Sequence, residues 1–104
     1  MIIEYIRYRI DEPRAAAFLA AYEEAQASLR TSPHCLGYEL SRCTEAPESF
    51  VLRIHWDSAE GHLQGFRKGP DFAAFFRAVQ PFLQDVEEMR HYEATHLRWS
   101  REGA

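Results

Sequence analysis

The chain has 104 residues, of which 46% are hydrophobic and 13% aromatic, which fits one core-forming domain and excludes a disordered segment. Its net charge of −4 gives no footing for nucleic-acid binding, which calls for a basic surface. No apolar run approaches the roughly 20 residues of a membrane span, and Met1–Arg7 is too short and too charged for a secretory signal, so a cytoplasmic protein is expected.

Residues 2–10 alternate and are rich in β-branched and aromatic side chains, the pattern of a strand. Ile2, Glu4, Ile6, Tyr8 and Ile10 share one face; Ile3, Tyr5, Arg7 and Arg9 share the other. Asp11-Glu12-Pro13 predicts a helix start, and Phe18, Tyr22, Ala25 and Leu29 give that helix an apolar stripe as far as about Arg30. Cys35 to Thr44 reads as a second strand with Leu36, Tyr38 and Leu40 on one face. A turn over Glu45–Ser49 joins it to a third strand, Phe50–Trp56, in which Leu52, Ile54 and Trp56 alternate with Val51, Arg53 and His55.

Ser58 is placed to cap a short helix that Gly61, Gly65 and Gly69 weaken. Asp71 starts a longer helix whose stripe is Phe72, Phe75, Phe76, Val79 and Leu83, and Pro81 predicts a break at Gln80. The last strand is expected over about Glu87 to His96, leaving Leu97 to Ala104 as a tail. Cys35 and Cys43 lie on one predicted strand, about 26 Å apart at the usual rise. A disulfide needs Cα atoms within about 7 Å, so free thiols are expected.

The element order β-α-β-β-α-β, with the second helix split, predicts an α+β, ferredoxin-like domain over residues 1–96, its helices on one side of the sheet. The uncovered face carries Tyr5, Arg7, Arg9, Glu39, Val51, Arg53 and His55, a mixture of aromatic, aliphatic and Arg that suits an interface core. A homodimer through these residues is the expectation. Phosphate-loop, zinc-spacing and dinucleotide fingerprints are absent. The candidate proton acceptors are histidines: His62 in the weak helix and His91 on the last strand. Alternation turns only one of His91 and Tyr92 toward the helices. Trp56, Phe66, Phe72, Phe76 and Tyr92 are the candidate contacts for a flat aromatic ligand.

The strand ending at Trp56, the following Asp57-Ser58-Ala59-Glu60, the step from Phe66-Arg67 to Gly69-Pro70-Asp71-Phe72, and the return through His91-Tyr92 resemble the antibiotic biosynthesis monooxygenase family of dimeric α+β barrels. The likeness spans about residues 1–96. It implies two protomers with their sheets face to face and a pocket in each between sheet and helices. It also implies oxidation of anthrones, quinols or related flat phenols by O₂ with no cofactor: neither metal nor flavin. A non-catalytic ligand-binding or stress-response dimer is the alternative. A related branch breaks down haem with Asn, Trp and His; this chain contains no Asn, and Gly65 and Phe76 stand near where that Trp and His would fall. Phe66 also stands where the family often has a His.

Overall fold

The computed structural model describes residues 1–102; Gly103 and Ala104, the end of the expected tail, lie outside the described residues. Four strands form one antiparallel sheet: β1 (Ile2–Arg9), β2 (Cys35–Arg42), β3 (Ser49–Trp56) and β4 (Val86–Glu93), in the spatial order β2-β3-β1-β4. Helix α1 (Ala15–Thr31) connects β1 to β2, and α2 (Phe72–Val79) lies between β3 and β4 and packs on α1. The fold is the ferredoxin-like α+β arrangement that the sequence predicts, with β2 and β4 as open edges.

Alternation decides the core. Ile6, Tyr8, Phe50, Leu52, Ile54 and Trp56 are buried and pack with Phe18, Tyr22, Ala25 and Leu29 of α1 and Phe75 and Val79 of α2. Ridges of rings run through it: Phe18 meets Tyr8, Tyr22, Phe50 and Phe82 with centroids 4.8–5.3 Å apart, Phe50 tilted and the other three in the edge-on geometry that aromatic quadrupoles favour.

Four local features depart from the predicted elements. The helix start at Asp11 is a 3₁₀ turn, Glu12–Arg14, and the Asp11 carboxylate pairs with Arg14 instead of capping a backbone N–H. Strand β2 ends at Arg42, so Cys43 falls just beyond it; both cysteines are free thiols. A bulge between Cys35 and Gly37 places Cys35 opposite Trp56 and leaves Leu36 at 60% exposure, so Leu36 is not under the helices. The extra residue shifts the two-residue period, and Cys35 takes the inward position. Strand β4 stops at Glu93 rather than His96.

The weak helix after Trp56 is a π-helical segment, Gly61–Phe66. The Arg67 N–H bonds to the His62 carbonyl five residues back, and the Ser58 hydroxyl accepts the Gly61 N–H at 2.8 Å, which is the expected cap. The break at Pro81 is also present: α2 ends at Val79 and a 3₁₀ segment, Gln80–Asp85, carries the chain into β4.

Candidate functional site

Glu4 lies between Ile2 and Ile6 on the inward face of β1, so the strand period drives its carboxylate under the helices, and the residue is 4% exposed. Desolvation dominates there. It raises the Glu4 pKa above the ordinary carboxylate value against the opposing pull of the Trp56 N–H and the nearby His91 and Arg67. Three side chains converge on the carboxylate. Trp56, at the end of β3, donates its Nε1–H to Oε1 at 3.0 Å. His62 Nε2 stands 3.4 Å from Oε1, and His91 Nε2 stands 3.4 Å from Oε2.

The π-helical turn positions His62. Its wider turn brings His62 and Phe66 to the same inward side, where the imidazole stacks on Trp56 at 4.6 Å and 20° and the phenyl ring sits 4.9 Å from the indole. Burial first, then the electrostatic influence of neighbouring His91 and Arg67, lowers the His62 pKa to about 4. His62 is therefore a neutral imidazole at pH 7. His91 reaches the cluster from β4, the neighbour of β1, and its side chain is 39% exposed.

The carboxylate and His62 face a cavity of about 130 Å³ between sheet and helices. Apolar groups form most of its wall: Ile54, Phe66, Phe72, Phe75, Phe76 and Val79. Tyr8 adds a polar floor, since its hydroxyl shares a 2.5 Å hydrogen bond with Tyr22 and burial raises both phenol pKa values. The arrangement is an apolar slot with one carboxylate at its polar end, and that carboxylate is a stronger base than a solvated one.

Of the residues singled out in the sequence, Trp56, His62, Phe66, Phe72 and Phe76 come together around this cavity, and His91 touches its carboxylate. Tyr92 does not join them. Alternation along β4 turns it to the opposite sheet face, where its ring meets Tyr5 edge-on at 5.4 Å. On that face Tyr5, Arg7 and Val51 line a shallow depression with Tyr92, and Arg53 and His55 line another with the tail residues His96–Ser100. Arg53 pairs with Glu39 at 2.8 Å, and Arg9 with Glu48 at 3.1 Å. Burial and the Arg53 cation lower the His55 pKa.

Glu4 is the site residue that the search for histidines passes over. The available signal is a lone acid among the apolar residues of an inward strand face. Phe75, likewise, enters the slot from the α2 stripe.

The chain matches the family model for antibiotic biosynthesis monooxygenases over residues 1–78. An uncharacterized Bacillus subtilis protein, YczJ, is 22% identical over 93 residues, covering 89% of this chain and 98% of its own. A Bordetella bronchiseptica structure that carries the family's name superposes with a TM-score of 0.73 at 25% identity, over 90% of this chain and 96% of the other. A Deinococcus radiodurans structure of the same family name gives 0.72 at 23% identity, over 96% and 98%. With three quarters of its length matched by the family model, the chain belongs to the antibiotic biosynthesis monooxygenase family.

Proposed function

We propose that this protein is a monooxygenase that oxidises a small phenol or quinol with O₂, using no cofactor for that step. The observation that carries the reading is the buried Glu4 carboxylate at the polar end of an aromatic-lined slot. The phenolic O–H gives its proton to Glu4, which Trp56 holds in place and whose burial makes it the stronger base. The electron-rich phenolate passes one electron to O₂, and the resulting radical pair combines as a peroxide at a ring carbon that bears hydrogen, ortho or para to the oxygen. The peroxide takes the proton back from Glu4 to give the hydroperoxide. Loss of water, with the ring C–H proton, leaves a quinone: phenol plus O₂ gives quinone plus H₂O. His91, half-exposed beside Oε2, steadies the carboxylate from the solvent side. His62, neutral at pH 7, orients the carboxylate.

The slot limits the substrate. An apolar cavity of about 150 Å³ takes up benzene, so about 130 Å³ fits one ring. A three-ring anthrone requires α2 and the π-helical turn to part. The reading includes a homodimer joined through the Tyr5, Arg7, Val51, Arg53 and His55 face, closing two open sheets into a barrel.

The test measures O₂ uptake with a series of hydroquinones and anthrones. Single-ring quinols should be consumed and should quench Trp56 fluorescence in a Trp99→Phe background. Glu4→Gln, which keeps an acceptor for the Trp56 N–H, should lower turnover by about 10² to 10⁴ with the fold retained. Quenching without O₂ uptake would point to a binding protein of the same fold. Neither quenching nor uptake would remove both readings.

A further inference from the structure

The geometry points to a binding site for one divalent transition-metal ion on Glu4, His62 and His91. This goes beyond the oxidation proposed above, which requires no metal. The three residues offer one carboxylate and two imidazole nitrogens, and their ligand atoms lie within 4.8 Å of one another. The two His–Glu separations are both 3.4 Å. That is beyond a good N–H···O bond, which runs to about 3.2 Å. It suits two ligands of a common ion instead: bonds of about 2.0–2.2 Å place tetrahedral or octahedral neighbours roughly 3.0–3.4 Å apart.

Three further features fit such a site. The Trp56 N–H fixes the carboxylate from behind at 3.0 Å, the support that outer-shell hydrogen bonds give to metal ligands. The stacking of His62 on Trp56 fixes one imidazole plane. The half-exposed His91 gives a path of entry from solvent and has room to close on the ion. Two imidazoles with one carboxylate suit zinc, cobalt or ferrous iron, whereas calcium and magnesium take oxygen ligands. Three protein ligands would leave further positions of the ion open beside the slot.

The test uses full-length protein stripped with a chelator and titrated with Co²⁺, followed by its visible absorption and by displacement with Zn²⁺. One Co²⁺ per chain is expected. His91→Ala removes an exposed side chain and should keep the native circular dichroism. It should weaken Co²⁺ binding by more than about 100-fold, because losing outer-shell support alone costs about 10–100-fold. His34→Ala, which breaks the separate His34–Asp57 pair, should leave binding unchanged. No stoichiometric uptake at micromolar protein overturns the site. Uptake insensitive to His91→Ala, or lost with His34→Ala, also overturns it. Stripped protein that consumes O₂ with a quinol yet takes up no Co²⁺ would end the metal proposal and keep the oxidation; Co²⁺ uptake without O₂ consumption would do the reverse.

Discussion

Glu4 and His62 bring opposite pH dependences into the same few ångströms. The Glu4 pKa is raised in the folded state, so its contribution to stability is fully present below the unfolded value and lost as pH rises through the folded one. The His62 pKa is lowered from 6.5 to about 4, so its contribution is present above 6.5 and lost as pH falls toward 4. In the wild type the two partly cancel on acidification. Urea midpoints followed from pH 7 to about 4 should therefore fall more steeply in Glu4→Gln than in the wild type, and less steeply in His62→Gln. Equal slopes in all three proteins would mean that burial perturbs neither group. Trp56 ties the pair together, stacked on one and hydrogen-bonded to the other.

At the scale of elements, the π-helical segment shows why three glycines stand four apart. A Cβ on Gly61 would run into the Asp57 carboxylate, one on Gly65 into the His34 ring, and one on Gly69 into the Gly65 carbonyl. The glycines here make room, and their low helix propensity is incidental. Gly65→Ala should displace His34 from Asp57 and destabilise the protein. In a His34→Ala background the same change should stabilise it by up to about 1 kcal/mol, since Ala then acts only through propensity. A thermal or urea double-mutant cycle reads the sign change; stabilisation in both backgrounds would show that His34 does not press on this turn.

The same segment marks where sequence reading runs out. Strand alternation, the stripe of α1 and the stop at Pro81 are local and periodic, and they place the sheet, the core and the slot. The wider turn that brings His62 inward is closed by a backbone bond five residues long, and the His34 ring beside Gly65 comes from another loop; no spacing reveals either. The Leu36 bulge and the reach of His91 to Glu4 across two paired strands also follow from three-dimensional pairing. The sequence shows Glu4 on the inward face but not what it meets there.

At the scale of the whole molecule, the uncovered sheet face is where a second copy is proposed to sit. Light scattering at micromolar concentration should return twice the 12.1 kDa chain mass, and Tyr5→Glu should dissociate or unfold the protein by burying a charge. A strict monomer would leave Tyr5, Val51 and Tyr92 in water and end that proposal. The bulge in β2 bears on a different kind of association. An open, flat edge is a template on which further strands can add without limit. The extra residue at Leu36 kinks β2 and breaks its hydrogen-bond register near one end, and β4, the opposite edge, carries Glu87, Glu88, Arg90 and Glu93. One border of the sheet is thus mismatched and the other charged, so copies can stack face to face while growth from edge to edge into a fibre is opposed on both sides.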